Sequence, residues 1–164
     1  MQPDNTNANV VNVDVQVDSM FVPVVEAAAI ERAAQRTVAM IGVKGHVEIS
    51  VLVTDDESLR ELNRTYRGED KATDVLSFGQ DGTDMASWPA DMPRMLGDVV
   101  ISYPRVVEQA QKAGWPEDDE LTWLVIHGVL HLLGYDDEDE DGRAEMWTLG
   151  ELILGKSAPG GPTE

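Results

Sequence analysis

One stretch, residues 123–137, constrains the fold of this chain more than any other. It reads W-L-V-I-H-G-V-L-H-L-L-G-Y-D-D and contains two of the three histidines, His127 and His131. Apolar residues occupy nearly every side of a helix here, which predicts a central, buried helix. Gly134 follows where a left-handed residue can end the helix and reverse the chain.

The spacing of the two histidines predicts a metal site. Because they are four residues apart, their rings project from one face of a helix and can share an ion. After the turn, Asp136 or Asp137 can supply a third ligand. Three protein ligands leave a tetrahedral metal with an open position for water, which is typical of a catalytic metal and of hydrolysis. The alternative is that the histidines are core residues satisfied by backbone carbonyls and that the acidic run 136–141 is a solvated surface.

The residue after the first histidine argues against a peptidase. Zinc peptidases with this histidine spacing need a Glu at that position as general base. Here the position is Gly128. The chain therefore lacks the proton acceptor that peptide hydrolysis requires.

Composition limits the chemistry and the environment of the chain. It has no cysteine, so disulfides, thiol catalysis and cysteine-type zinc sites are excluded and a metal must use His, Asp or Glu. A length of 164 residues suits one domain with a hydrophobic core. The N-terminus lacks a secretory pattern and no apolar run approaches the roughly 18 residues that span a bilayer. We therefore expect a soluble cytoplasmic protein with no membrane partner.

The charge is strongly negative but unevenly distributed. Thirty-one acidic and 12 basic residues give a formal charge of −19, which by itself disfavours non-specific binding to a polyanion. Solubility is the simplest explanation of this excess. Four basic residues nevertheless cluster in one short segment, which predicts a locally positive surface on an acidic body. They are Arg60, Arg64, Arg67 and Lys71.

The order of the elements gives the fold class. Alternating or β-branched patterns predict strands over 10–17, 46–54, 75–78 and 95–102. Composition, capping residues and helical spacing predict helices over 22–41, 103–112 and 117–133, a helix over 59–67 with its start signal at 55–58, and a closing helix near 146–153. Strands grouped early and helices late favour a single α+β domain, in which helices cover a small mixed β-sheet. We expect a loop over 79–94, a domain over 1–155 and a disordered tail over 156–164.

Three blocks of sequence occur together and in a specific order. H-G-V-L-H-L-L-G-Y-D-D at 127–137 resembles the motif H-G-x-L-H-L-x-G-Y-D-H. L-N-R-T-Y-R-G-E-D-K-A-T-D-V-L-S-F at 62–78 is similar to L-N-x-x-Y-R-x-x-D-x-x-T-D-V-L-S-F, and L-G-D-V-V-I-S at 96–102 is a third match. These are the motifs of the YbeY-type endoribonucleases, bacterial rRNA maturation factors, and the chain is identified by resemblance as a member of that family.

The resemblance implies a function and a set of partners. It implies a metal-dependent, single-strand-specific endoribonuclease that takes part in maturation of the 3′ end of 16S rRNA and in ribosome quality control. The implied cofactor is one Zn²⁺ per chain. The implied substrate is single-stranded RNA or rRNA and not DNA, with small-subunit ribosomal proteins as candidate partners.

The resemblance also assigns roles to residues. His127 and His131 are metal ligands, and Arg67 is the functionally important arginine, because a guanidinium binds phosphate bidentately and stabilises charge developing on a phosphorane. Arg64 and Lys71 are candidates for binding the RNA backbone, although isolated surface cations are more often simply solvated.

At the third ligand position the family has His and this chain has Asp137. Asp is also a recognised metal ligand, so a site of His127, His131 and Asp137 is chemically sound. The harder oxygen donor widens the choice from zinc towards Mn or Fe, and its charge makes a bound water less acidic. Asp136 matches the motif's own Asp and is the weaker candidate.

Other functions and roles stay open at this point. The chain is alternatively a non-enzymatic ribosome-assembly factor with a structural metal, or a metal hydrolase acting on another substrate. Asp74, Ser77 and Phe78 are expected to shape a turn and a strand edge rather than to catalyse. Three tryptophans are expected to be core or interface residues rather than surfaces for base stacking: Trp115, Trp123 and Trp147.

Overall fold

A computed structural model describes residues 9–79 and 92–161. Within these ranges the chain forms four strands, β1 (Val10–Val17), β2 (His46–Thr54), β3 (Val75–Gly79) and β4 (Arg94–Ser102). The same ranges contain five helices, α1 (Ala27–Ile41), α2 (Asp56–Arg67), α3 (Tyr103–Ala113), α4 (Glu117–Leu132) and α5 (Glu140–Leu154). The predicted α+β class, with one domain and a small mixed sheet, is confirmed.

The sheet has the strand order β1-β2-β4-β3. β1, β2 and β4 are parallel, and β3 pairs antiparallel with β4. One face of β2 is buried against α1 and α4 through Val47, Ile49, Val51 and Val53. On the opposite face, α2 packs on β3 and β4 through Leu59, Leu76 and Val100. The sheet therefore lies between α2 and the other helices.

Helix α4 is the central element. It packs against α1, α3 and α5 and against β3 and β4. Leu124, Val125 and Val129 face the main core, whereas Ile126 and Leu130 pack in a second cluster with α5. Buried apolar side chains on both sides confirm the prediction of a central, buried helix, and they give its histidines a rigid base.

Two sequence predictions need correction at helix α1 and at the loop after β3. The helix predicted over 22–41 begins only at Ala27, because Phe21 and Val25 are buried and Phe21 closes a turn by accepting from Val24 N and Val25 N at 3.0 Å. Gly79 and Arg94, predicted as the ends of a loop over 79–94, instead lie in β3 and β4. Residues 80–91 of that loop lie outside the described ranges.

The segment after α5 is described as far as Gly161. Lys156 Nζ lies 2.5 Å from Asp119 Oδ2, and Ala158 N donates to Glu151 Oε2 at 2.8 Å. Residues 162–164 lie outside the described ranges, so the predicted disorder of 156–164 stays a prediction. No helix in the described part of the chain is both long and apolar enough to span a membrane.

Candidate metal centre and RNA cleft

The end of α4 and the turn after it bring three candidate ligands together. His127 and His131 lie on one face of the last turns of α4. Gly134 follows with φ +101°, and the turn is closed by hydrogen bonds from Gly134 N to His131 O (3.0 Å) and from Tyr135 N to Leu130 O (3.1 Å). This reversal returns Asp137 to the histidines, as the sequence predicts.

The distances within this group suit a shared ion. His127 Nε2 lies 3.0 Å from His131 Nε2, and Asp137 Oδ2 lies 3.3 Å from His127 Nε2 and 3.6 Å from His131 Nε2. Ligand atoms on a tetrahedral zinc ion with usual bond lengths are roughly 3.3 Å apart. The two imidazoles and the carboxylate therefore fit a divalent metal, and they leave room for further ligands. Within the described residues, they are the one group of three or more such side chains close enough to hold an ion.

The loop that carries Asp137 is fixed by the start of α5. Asp139 caps that helix by accepting from Gly142 N at 2.6 Å. A Cβ on Gly142 would lie 2.2 Å from Asp136 O, so only glycine allows the loop to approach the helix this closely. Arg143 Nη1 donates to Asp137 O at 3.3 Å. By contrast, the side chain of Asp136 is exposed and turns away to accept from Glu138 N.

The environment keeps His127 in the form that binds metals. Burial lowers the pKa of His127 below the usual histidine value, and the neighbouring His131 lowers that pKa further, while Asp137 acts in the opposite direction. Burial disfavours the charged imidazolium, so the neutral ring is favoured near pH 7. A neutral imidazole has the free lone pair that a metal ligand needs.

Arg67 lies in the same cleft as the three ligands. A cavity of about 520 Å³ is lined by Arg67 and Lys71 as well as by His127, His131 and Asp137. Arg67 ends α2, and its Nη2 donates to Ser77 O at 2.7 Å while its guanidinium lies 5.6 Å from the centre of the Phe78 ring. Arg67 makes no ion pair within the described part of the chain, so its charge is available to a ligand.

The other basic residues of the predicted positive surface are partly neutralised. Arg60 Nε lies 2.7 Å from Asp70 Oδ1, and Arg64 pairs with Glu61 on the exposed side of α2. Neither arginine lines the cavity. Lys71 does line it, with its Nζ 3.4 Å from Glu69 Oε2. The structure thus brings Arg67 and Lys71, but not Arg64, to the candidate metal site.

Two residues that position the cleft were not recognised in the sequence. Ser77 Oγ donates to Gly128 O at 2.9 Å, so the residue whose carbonyl holds Arg67 also holds α4 next to His127. Asn63 is buried, and its Nδ2 donates to Lys71 O at 3.0 Å, which fixes the loop that carries the lysine. Both residues lie within the 62–78 block, but only the tertiary packing reveals their contacts.

Comparison with known proteins gives one consistent result. A family model described as "Endoribonuclease YbeY" matches residues 14–158. A protein of Roseiflexus castenholzii named "Endoribonuclease YbeY" is 50% identical over 144 residues, which cover 87% of this chain and 91% of that protein. One of Bacillus cytotoxicus with the same name is 48% identical over 131 residues, covering 77% of this chain and 80% of the relative.

A solved structure shares the fold. The solution structure of TM1509 from Thermotoga maritima matches with a TM-score of 0.57 and 23% identity, covering 88% of this chain and 87% of that one. At this identity the likeness concerns the arrangement of strands and helices alone.

Proposed function

The chain belongs to the YbeY family of endoribonucleases, and we propose that it is itself a metal-dependent endoribonuclease that cleaves single-stranded RNA. The observation that supports this most strongly is the shared cavity, which Arg67 lines together with His127, His131 and Asp137. A cation that can bind phosphate and a group of metal ligands in one cavity suit phosphodiester hydrolysis, in which both stabilise developing negative charge.

We propose that His127, His131 and Asp137 hold one divalent ion per chain. Zinc is the ion that family resemblance implies, and the carboxylate of Asp137 also suits Mn or Fe. When bound, such an ion supplies a Lewis acid that polarises a phosphoryl oxygen and lowers the pKa of water. The chain contributes a rigid helix for two ligands and a braced loop for the third.

In this proposal Arg67 binds the scissile phosphate and stabilises the charge that develops on it. The Ser77 carbonyl and the Phe78 ring orient the guanidinium, so little rotational freedom is lost when the phosphate binds. Lys71 adds a second positive charge on the same wall of the cleft. Arg64 lies outside the cavity. We still predict that it contacts the RNA backbone, at a part of the strand outside the cleft.

The proposed biological role follows family membership. We propose that the substrate is rRNA, that the activity serves maturation of the 3′ end of 16S rRNA and ribosome quality control in the cytoplasm, and that small-subunit ribosomal proteins are partners. RNA loops and ends are the expected targets, since single strands let individual phosphates and bases reach a cleft.

Two other functions compete with the proposed endoribonuclease activity. A metal that only braces the fold is a reasonable competitor, because the ion would link α4 to the loop before α5. A peptidase is disfavoured by packing as well as by sequence. A Cβ on Gly128 would lie 2.5 Å from Val99 Cγ1, so the general-base Glu of zinc peptidases has no room there.

Metal removal combined with defined substrates tests the proposal. Purified protein is depleted of metal, reloaded with Zn²⁺, Mn²⁺ or Fe²⁺, and assayed on single-stranded RNA, double-stranded RNA, single-stranded DNA and a peptide. We expect cleavage of single-stranded RNA by loaded protein alone, and its loss in His131→Ala. A large drop in melting temperature on depletion, with no RNA cleavage at any metal loading, would favour the structural metal.

A further inference from the structure

A second cavity adjoins the metal site on the other side of His127. It has a volume of about 700 Å³, within the range of small-molecule sites. His127 and Asp74 line both this cavity and the cleft that contains Arg67. A nucleotide next to a phosphate bound at Arg67 can therefore reach it. We call it the tryptophan cavity, after Trp115, Trp123 and Trp147, which line it.

One wall of the tryptophan cavity is a rigid aromatic surface. The Trp115 and Trp123 ring centres are 6.4 Å apart at an interplanar angle of 69°, and those of Trp123 and Trp147 are 4.9 Å apart at 68°. A Cβ on Gly150 would lie 2.8 Å from the Trp123 ring, so α5 packs directly on that ring and fixes it. Half-buried aromatic rings of this kind stack on unpaired bases in proteins that bind single strands.

The cavity also presents hydrogen-bond acceptors, next to the aromatic rings. Glu120 is buried, and its Oε2 accepts from Trp115 Nε1 at 3.2 Å. The amide nitrogen of Gln109, in the orientation that satisfies it, lies 3.0 Å from Glu120 Oε1 and 3.3 Å from Asp74 Oδ2. The two carboxyl groups are thus held in place by donors on the protein, and each keeps lone pairs for another donor. Carboxyl groups of this kind attract amino groups, and the one cation that lines the cavity in the described part of the chain, Lys112, is paired with Glu108 at 2.9 Å.

We propose that the tryptophan cavity binds one unstacked base of the RNA strand and favours bases with an exocyclic amino group, adenine, cytosine or guanine, over uracil. The aromatic wall stacks on the base, and the carboxyl groups accept hydrogen bonds from its amino group. Uracil has one ring N–H and two carbonyl oxygens but no amino group. Its carbonyl oxygens would face the carboxyl oxygens of the cavity, and because both carry negative charge they repel each other. The proposal rests on the proposed RNA cleavage at the neighbouring metal site, and it adds base selection to that activity.

Cleavage of a substrate series by the unaltered, metal-loaded protein tests base selection. Each single-stranded RNA carries one fixed cleavage site, with A, C, G, U or an abasic residue at one neighbouring position. Base stacking on aromatic side chains changes affinity by roughly fivefold or more per base. We expect kcat/KM to fall by at least that factor for the abasic residue, which cannot stack, at a single position beside the cleaved bond. At the same position we expect a fall of roughly tenfold for U, which loses a hydrogen bond to a carboxylate. Rates within twofold at every position would overturn the proposal.

Variants of Trp147 locate the effect in the cavity. Trp147→Leu removes an aromatic face, whereas the matched control Trp147→Phe keeps one. We expect the leucine variant to lose the discrimination against the abasic residue and the phenylalanine variant to retain it, with equal metal content and melting temperature in both. If the leucine variant does not fold, the substrate series with the unaltered protein still decides the question.

A binding measurement separates failure of this proposal from failure of the proposed function. Metal-loaded protein is titrated with 2′-O-methyl oligo-A, oligo-C and oligo-U, and binding is followed by anisotropy of a dye on the oligonucleotide. If RNA is not cleaved but oligo-A and oligo-C bind at least fivefold more tightly than oligo-U, base binding in the tryptophan cavity is supported and the nuclease proposal fails. Pro159, Gly160 and Gly161 also line the cavity. Cleavage without base preference, and with tighter oligonucleotide binding after removal of residues 159–164, would assign the cavity to this segment of the chain and overturn the proposal.

Discussion

Gly128→Ala is expected to destabilise this protein, although alanine is the better helix former. The added Cβ would lie 2.5 Å from Val99 Cγ1, 3.1 Å from Val99 Cγ2 and 3.3 Å from Ser77 Oγ. Carbon atoms pack best at about 3.5 to 4.0 Å, so helix α4 and strand β4 would have to separate by about 1 Å. Val99 is fully buried in a strand that has neighbours on both sides, so it cannot move aside.

The size of the effect follows from two opposing contributions. Replacing Gly by Ala inside a helix stabilises by about 1 kcal/mol, whereas an extra methyl group in a packed core costs about 1 to 3 kcal/mol. We therefore expect a net loss of about 1 kcal/mol in the free energy of unfolding. The shift of α4 would also displace His127, and a displacement of about 1 Å can reduce catalysis about 100-fold.

A double-mutant cycle measures the clash directly. The free energy of unfolding is determined by urea titration for the unaltered protein, Gly128→Ala, Val99→Ala and the double variant. With Val99 truncated the new Cβ has space, so Gly128→Ala should stabilise that background, and the coupling should be about 2 kcal/mol. Ala144→Gly, at an exposed position of α5, calibrates helix propensity in this chain. Equal stabilisation by Gly128→Ala in both backgrounds would refute the reasoning.

Three further predictions concern the ligands, the cleft and the buried carboxyl group. Asp137→Ala should lower the bound metal, measured by elemental analysis, to well below one ion per chain, whereas Asp136→Ala should leave it unchanged. The reverse result would make Asp136 the third ligand in place of Asp137. Ser77→Ala removes the hydrogen bond to Gly128 O and should reduce kcat about tenfold with little change in metal content, and an unchanged kcat would limit Ser77 to a role in folding. Burial raises the pKa of Glu120 in the folded state, so the ionised form costs stability as pH rises through that value. Glu120→Gln should therefore raise the melting temperature relative to the unaltered protein at pH 7, and this advantage should shrink below about pH 4, where Glu120 is protonated in both states.

The features that sequence patterns predicted correctly are local ones. Helix α4 has apolar residues on all sides, acidic residues in its first turn and Gly134 after its end, so its position and burial follow from contiguous residues. The proximity of the three candidate ligands also follows from one short segment, because His127, His131 and the turn to Asp137 need only helix spacing and one glycine. That they bind a metal stays a prediction. The start of α1 was wrong because burial of Phe21 in the core outweighs the helix propensity of the residues around it.

The features that the sequence did not reveal depend on contacts between distant residues. Ser77 and Gly128 are 51 positions apart, and only the packing of α4 on β3 and β4 joins them. Charge clustering placed Arg64 and Arg67 together, but it could not tell which of them faces the cleft. The three tryptophans were expected to be core or interface residues, and their position beside His127 follows from the way α5 packs against α4.

Cleavage of single-stranded RNA by Arg67→Ala, with Arg64→Ala as the matched control, tests the central claim most directly. Both variants lose one arginine from α2, but of the two only Arg67 lines the cavity of the candidate metal ligands. Loss of a group that stabilises developing charge typically costs about 100- to 1000-fold in rate. We predict a loss of this size in kcat for Arg67→Ala, with unchanged metal content, and a change of a few-fold at most for Arg64→Ala. Equal activity in the two variants would contradict the account.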